Sequence, residues 1–195
     1  MFSELKDDIR HLVLPFAAKI PLSPNSLTLI GLLVSFVSAL AFAKGELFSG
    51  ALLILLSGLF DMLDGAVARA RDLSSSFGAF LDSVCDRYAD GAIFVGITYG
   101  FISGSIPDSS ILSIPAWLWT IIAIVGSYLV SYTRARAEAA GASSMNVGIA
   151  ERPERMLIIV AGALAGLTDI AIFLIVVLTH VTIIQRILRA RSSLG

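Results

Sequence analysis

Six long apolar stretches alternate with short polar segments along most of the chain. A helix that crosses a bilayer needs roughly 20 mostly apolar residues. Clusters of turn-forming residues at 23–26, 44–46 and 103–113 separate several of the stretches. We therefore predict an all-α integral membrane fold with six transmembrane helices, at about 25–43, 47–70, 77–102, 114–137, 153–167 and 170–188.

The N-terminal segment has a different pattern. Its apolar residues recur at helical spacing, with Lys6, Asp7, Asp8 and Arg10 falling largely elsewhere. This predicts an interfacial amphipathic helix within residues 1–20, lying along the membrane; the alternative is a frayed polar tail. We treat 1–195 as a single membrane domain with 1–20 as its juxtamembrane part. The apolar residues are Leu5, Ile9, Leu12, Val13 and Phe16.

Composition and charge agree with a membrane protein and suggest its orientation. Of the 195 residues 56% are hydrophobic and only 15% are charged, and the net charge is −1, whereas soluble domains are about one-quarter charged. With six spans, nearly all Lys and Arg fall on one side and only Lys44 on the other. Because cytoplasmic loops collect Lys and Arg, we predict a cell-membrane protein with both termini in the cytoplasm. The single cysteine, Cys85, excludes an internal disulfide.

Aspartates are concentrated at the end of the second predicted span and the start of the third. Asp61 and Asp64 are three residues apart and therefore share a helix face. Asp82, Asp86 and Asp90 follow one another at intervals of four. If these two neighbouring helices pack antiparallel, the acidic faces meet near the cytoplasmic boundary. Ionisable residues inside spans are rare and usually mark function.

Clustered carboxylates repel one another, and a divalent cation relieves that repulsion. Mg²⁺ and Mn²⁺ prefer oxygen ligands, and two such ions can bind a pyrophosphate between them. The alternative is that individual aspartates are buried structural charges paired with Arg69, Arg71 or Arg87. For Asp90 both interpretations remain open.

The spacing of these residues resembles the defining motif of the CDP-alcohol phosphotransferase family, D-x-x-D-G-x-x-A-R followed, after eight residues, by G-x-x-x-D-x-x-x-D. The six-span layout is also similar to that family. The fixed positions are Asp61, Asp64, Gly65, Ala68, Arg69, Gly78, Asp82 and Asp86.

The resemblance implies an enzyme that transfers a phosphatidyl-type group from a CDP-linked lipid to an alcohol and releases CMP, commonly as a homodimer. Asp61, Asp64, Asp82 and Asp86 would bind metal, and because two ions can hold a pyrophosphate between them, we expect two ions of Mg²⁺ or Mn²⁺. Asp86 would also be the general base that takes the proton from the acceptor hydroxyl. The implied CDP-binding residues are Asn25, Thr28, Asp61, Gly65, Ala68, Arg69 and Gly78.

Four arginines lie on the same predicted side as the aspartates: Arg134, Arg152, Arg155 and Arg186. Arginine binds phosphate through two parallel hydrogen bonds, and the start of the fifth helix adds backbone N–H groups. We therefore expect an acceptor alcohol that carries a phosphate. The alternative, anchoring by the positive-inside rule, is our interpretation of Arg189 and Arg191.

The basic stretches resemble the phosphatidylinositol-phosphate synthase branch of the family, whose acceptor is inositol 1-phosphate. In that branch the bacterial members often have lysine at the position of Arg134, and the archaeal members use an ether-linked lipid donor. Glycerol 3-phosphate is the alternative acceptor, and a divalent-cation transporter is the alternative class. We expect membrane lipid but no nucleic acid as a partner, and an active site that faces the cytoplasm.

Overall fold

A computed structural model describes residues 19–143 and 145–195 of the chain. The amphipathic helix predicted within residues 1–20 therefore lies almost wholly outside the described residues. The described part is helical, as predicted, with one short β-hairpin. Its elements are α1 (Pro24–Ala43), α2 (Leu47–Ala70), α3 (Ser76–Ile102), β1 (Ser110–Ile111), β2 (Ile114–Pro115), α4 (Ala116–Ala139), α5 (Arg152–Ala165) and α6 (Thr168–Leu194).

Local sequence signals account for where several helices begin and end. The side chain of Ser23 accepts a hydrogen bond from the Ser26 N–H, and Pro24 follows as the first residue of α1. Ser75 caps α3 in the same way, accepting from the Gly78 N–H. Helix α5 ends at Ala165 and is followed by Gly166, whose φ of 70° is a left-handed conformation that favours glycine.

Within residues 19–143 and 145–195, four helices are long and apolar enough to cross a membrane: α1, α2, α4 and α6. Helix α3 is long enough, but it contains Asp82, Asp86, Arg87 and Asp90. Helix α5 has 14 residues, which at 1.5 Å per residue span about 21 Å, less than the roughly 30 Å of a bilayer core. The chain is thus a helical membrane protein, and the count of six spans stays a prediction.

The first three helices pack differently from our expectation for neighbours in sequence. Helices α2 and α3 each pack extensively against α1. In the part of the chain that the structure describes, α2 and α3 contact each other much less than either contacts α1. Small residues allow this arrangement. A Cβ atom added to Gly96 of α3 would lie 2.2 Å from the Ala39 carbonyl oxygen of α1, and one added to Gly31 of α1 would lie 3.2 Å from Phe60 Cβ of α2.

The other three helices complete the bundle around its larger apolar core. Helix α4 packs against α3 and α6, while α5 packs against α2 and α6. The core cluster draws buried side chains from all six helices, among them Phe42, Ile54, Phe94, Ile159 and Ile172. Through these contacts the end of α4 and the start of α5 lie near the acidic residues of α2 and α3.

The polar segment predicted as a loop at 103–113 contains one strand of the hairpin. Ser110 pairs with Pro115 and Ile111 with Ile114 in antiparallel register. The turn uses Leu112 at φ 54° and Ser113 at φ 62°. The fourth helix consequently begins at Ala116, two residues after the predicted start, because residues 114 and 115 belong to β2.

Candidate active site

Three of the four predicted metal-binding aspartates form a compact group. Asp61 and Asp64 extend from α2 and Asp82 from α3, and one oxygen of each lies within 4.8 Å of the other two. Asp64 is buried, whereas Asp61 and Asp82 are half-buried. Spacing by one helical turn on α2 brings the first pair together, and the common packing of α2 and α3 on α1 brings in the third.

Hydrogen bonding within this group fits a cation-binding site. The buried Thr28 hydroxyl donates to Asp64 Oδ2 at 2.6 Å, which fixes the orientation of that carboxylate. Oδ1 of Asp82 is buried and has no hydrogen-bond partner among the residues that the structure describes. A buried carboxylate oxygen without a donor is unfavourable. A divalent ion with oxygen ligands would compensate it and reduce the repulsion between the three carboxylates.

Asp86 lies beside this group rather than within the 4.8 Å cluster. It lines the same narrow crevice as Asp61 and Asp64. Its Oδ1 is 2.8 Å from Arg152 Nη1, and its Oδ2 is 3.3 Å from Arg87 Nη1. The structure thus brings the predicted base to the edge of the acidic cluster and pairs it with two guanidinium groups.

A cavity of about 180 Å³ opens next to the carboxylates, between the start of α1, the end of α2 and the start of α3. Its two glycines maintain space for polar side chains. A Cβ atom on Gly65 would lie 3.2 Å from Arg69 Nη1, and one on Gly78 would lie 3.4 Å from Asn25 Oδ1. The cavity is lined by six of the seven residues predicted to bind CDP, and by two aspartates of the cluster: Asn25, Thr28, Gly65, Ala68, Arg69, Gly78, Asp64 and Asp82. The seventh, Asp61, lines the neighbouring crevice instead.

A second and larger cavity, of about 450 Å³, lies between α3, α4, α5 and α6. All four arginines predicted to bind the acceptor phosphate line it, together with Arg87. Two glutamates also line it, so arginines outnumber carboxylates in its wall. The charged lining residues are Arg87, Arg134, Arg152, Arg155, Arg186, Glu138 and Glu151.

Two of these arginines are buried and hold the cavity wall together. Arg186 is 2% exposed and donates to the carbonyl oxygens of Val147 and Val130 and to Glu151 Oε1. Arg155, also 2% exposed, donates to the Ala150 carbonyl oxygen at 2.8 Å. Its Nε atom is buried without a partner in the described part of the chain.

The two remaining predicted arginines have different surroundings. Arg134 is 42% exposed and pairs with Glu138 at 3.1 Å and with Glu151 at 3.7 Å. Arg152 contacts Asp61 at 3.2 Å as well as Asp86, and it lines both the acidic crevice and the basic cavity. Arg152 therefore connects the two parts of the site.

Two contributions to this site were not predicted from the sequence. Arg87 was expected only as a partner for an aspartate, yet it also donates to Ser131 Oγ at 2.9 Å and lines the basic cavity. The role of Asp90 was open. Asp90 is buried and pairs with Arg152 and Arg155, neither of which was among the partners considered for it. Its spacing of four residues from Asp86 was the available signal.

Membrane-crossing helices thus surround a carboxylate cluster that borders one polar cavity and is linked through Arg152 to a second. These features are typical of a membrane-embedded enzyme, with two polar cavities beside a carboxylate cluster that fits a cation. The CDP-alcohol phosphatidyltransferase family model matches residues 21–185, and the chain belongs to this family of phospholipid-synthesising enzymes.

Individual relatives match along nearly the whole chain. The chain is 40% identical over 194 residues to the archaetidylinositol phosphate synthase of Methanothermobacter thermautotrophicus, covering 96% of this chain and 93% of that protein. It superposes on the crystal structure of Mycobacterium tuberculosis phosphatidylinositol phosphate synthase with CDP-DAG bound, with a TM-score of 0.77 and 34% identity over 98% of this chain and 96% of that one. The crystal structure of the same enzyme in complex with manganese and citrate gives a TM-score of 0.77 and 33% identity over 97% and 90%.

Proposed function

We propose that this enzyme transfers a phosphatidyl-type group from a CDP-linked lipid, either CDP-archaeol or CDP-diacylglycerol, to inositol 1-phosphate and releases CMP. One observation carries the proposal. The acidic cluster borders a cavity lined by six predicted CDP-binding residues and connects through Arg152 to a cavity lined by five arginines. The names of the archaeal and mycobacterial relatives support the acceptor.

The smaller cavity is the proposed site for the CDP group. Asn25 and Thr28 at the start of α1 provide polar contacts, and Arg69 provides a cation for phosphate oxygens. Gly65 and Gly78 let the nucleotide approach the backbone closely. The mycobacterial relative with CDP-DAG bound, 34% identical to this chain, supports a lipid donor of this kind.

Asp61, Asp64, Asp82 and Asp86 are the proposed ligands for Mg²⁺ or Mn²⁺, with two ions shared between them. The group of three carboxylates and the unpartnered Asp82 oxygen support this assignment, as does the manganese complex of the mycobacterial relative. When bound, the cations would supply positive charge to the pyrophosphate and so stabilise the departing CMP.

The proposed chemistry is a direct displacement at phosphorus. Asp86 accepts the proton of the acceptor hydroxyl, whose oxygen forms a bond to the β-phosphorus of the donor. The bond from that phosphorus to the oxygen bridging to CMP breaks, and CMP leaves with both bonding electrons. Each oxygen of Asp86 contacts one arginine and keeps a second lone pair that can accept the proton. Arg152 and Arg87 stabilise the carboxylate in its ionised form.

The basic cavity is the proposed site for the acceptor phosphate. Arg134 is accessible there, Arg152 faces the cavity beside the carboxylates, and Arg155 retains a buried N–H donor without a partner in the described residues. Arg186 contributes mainly by fixing the wall. The first turn of α5 adds backbone N–H groups that favour an anion.

We also propose the cellular arrangement that follows from the charge distribution. The enzyme would lie in the cell membrane with six spans, both termini and the active site facing the cytoplasm. A homodimer is a separate part of the proposal, because the family resemblance and not the charge distribution implies it. Accessibility labelling of single cysteines introduced at residues 44 and 195, in a Cys85→Ser background, tests this orientation. Labelling of both positions from the same side of the membrane would contradict it.

The central experiment measures CMP release by purified protein in lipid nanodiscs that contain CDP-diacylglycerol or CDP-archaeol, with Mg²⁺. Inositol 1-phosphate, glycerol 3-phosphate, inositol and glycerol are supplied in separate reactions. We expect release with inositol 1-phosphate to exceed release with each of the other acceptors at least tenfold. The phosphate-free alcohols test whether the basic cavity recognises phosphate.

Two results would contradict the proposal in different ways. Faster release with glycerol 3-phosphate would keep the family chemistry and change the acceptor. Absence of CMP with every acceptor, combined with Mn²⁺ flux into protein-containing liposomes that lack CDP-lipid, would favour a cation transporter.

A further inference from the structure

Asp90 is a buried carboxylate that the proposed chemistry does not use. It lies on α3 one turn beyond Asp86, and only 4% of its surface is exposed. Its two oxygens have different partners. Oδ1 accepts a hydrogen bond from Arg152 Nε at 3.0 Å, and Oδ2 accepts one from Arg155 Nη2 at 2.6 Å. One side chain thus holds two arginines of the basic cavity.

The contact with Arg152 uses its Nε atom and leaves the Nη atoms of that guanidinium to other groups. With Nε bonded to Asp90, Nη1 lies 2.8 Å from Asp86 Oδ1 and 3.2 Å from Asp61 Oδ1. The same side chain lines the basic cavity. Asp90 therefore determines where Arg152 lies between the carboxylate cluster and the proposed acceptor site.

The contact with Arg155 has a similar effect on the cavity wall. Asp90 and the Ala150 carbonyl oxygen bind the two Nη atoms of Arg155, one each. This fixes the plane of the guanidinium while leaving its buried Nε without a partner in the described part of the chain. Without the shared carboxylate, two neighbouring guanidinium groups would repel each other and lose their orientation.

We propose that Asp90 is a positioning residue for the phosphate-bearing acceptor: it orients Arg152 and Arg155 toward the acceptor and does not act on the CDP-lipid. The inference rests on the proposed function, because it assumes that the basic cavity binds that acceptor. It separates two roles for carboxylates on the same face of α3. Asp82 and Asp86 bind the cation and Asp86 also accepts the proton, whereas Asp90 orients the arginines.

Steady-state kinetics of Asp90→Asn test this inference. Asparagine keeps the shape of the side chain but loses its charge and one of its two acceptor oxygens. We expect the KM for inositol 1-phosphate to rise at least tenfold while the KM for CDP-lipid changes less than twofold. A purely structural role would not single out one substrate. Asp169→Asn is the matched control, because Asp169 lies beyond the opposite end of α5 and contacts Ser109; its two KM values should match those of the wild type.

Each outcome has a definite meaning. Unchanged KM values in Asp90→Asn, or equal changes in both, would overturn the inference. If Asp90→Asn does not fold, the comparison is Arg155→Gln with the double variant Asp90→Asn/Arg155→Gln, which removes one buried charge pair as a unit. The double variant should have the higher acceptor KM because Arg152 also loses its partner, and equal values would overturn the inference. Wild-type protein that is inactive with inositol 1-phosphate would instead overturn the proposed function, and this inference with it.

Discussion

The hydrogen bond from Thr28 to Asp64 should control how tightly the acidic cluster binds a divalent cation. The Thr28→Val substitution keeps the shape of the side chain and removes its donor. In the wild type that donor lies 2.6 Å from Asp64 Oδ2, in a buried setting that water does not readily replace. Asp64 then loses the contact that orients it toward Asp61 and Asp82.

The size of the effect follows from the type of bond. A hydrogen bond to a charged group contributes about 1.5–3 kcal/mol, and every 1.4 kcal/mol corresponds to a factor of ten in affinity. If most of this energy stabilises the cation-bound arrangement of Asp64, cation affinity should fall about 10- to 100-fold in Thr28→Val. This matches the usual effect of removing a group that orients a metal ligand.

Binding of Mn²⁺ is measured directly by the electron paramagnetic resonance signal of free Mn²⁺, during titration of purified protein without CDP-lipid. Thr120→Val is the matched control. Thr120 is fully buried, and its hydroxyl donates within its own helix, to the Ala116 carbonyl oxygen at 2.9 Å. An unchanged Mn²⁺ affinity in Thr28→Val, or an equal loss in Thr120→Val, would refute the reasoning.

Three further predictions concern the same site. Asp86→Asn should lower kcat by about 10²- to 10⁴-fold, the usual contribution of a general base, and, at Mg²⁺ concentrations that saturate the variant, leave CDP-lipid affinity within about threefold because no predicted nucleotide contact is lost; a kcat within tenfold of the wild type would contradict its role as the base. Gly65→Ala should raise the Kd for CDP-lipid several-fold, because the new methyl group would lie 3.2 Å from Arg69 Nη1, whereas Gly58→Ala on the same helix meets no atom within 4 Å and should bind like the wild type; equal effects in calorimetric titrations would count against a nucleotide site there. Chelation by EDTA should abolish CMP release, and added Mg²⁺ or Mn²⁺ should restore it; full activity after exhaustive chelation would exclude the metal assignment.

Features encoded in short stretches of sequence could be predicted well. The apolar run of α2 gave the same bounds that the structure has, Leu47–Ala70, and the one-turn spacing of Asp61 and Asp64 placed them on one face. Helix α6 extends to Leu194, six residues beyond the predicted span. Hydropathy locates the end of an apolar segment, whereas a helix continues through charged residues such as Arg189 and Arg191.

Features that depend on distant parts of the chain could not be predicted in the same way. The sequence offers many arginines, and nothing local indicates that Asp90 pairs with Arg152 and Arg155, which lie 62 and 65 residues away. The pairing arises because α5 packs against α2 and so brings its first turn to the acidic end of the bundle. Helix α5 itself was predicted as a span from its apolar composition, although its 14 residues are short for one.

Helix α1 contains no charged residue, yet its packing determines where the carboxylates meet. It lies against both α2 and α3, and its contacts with α2 are polar and specific: Ser35 Oγ is 2.7 Å from Ser57 Oγ, and Ser38 donates to the Gly50 carbonyl oxygen at 2.8 Å. The small side of Gly31 brings the two helices close near Asp61. These uncharged contacts set the distance between the carboxylates of α2 and α3. Because a displacement of about 1 Å can reduce catalysis about 10²-fold, catalysis should depend on these contacts as well as on the aspartates themselves.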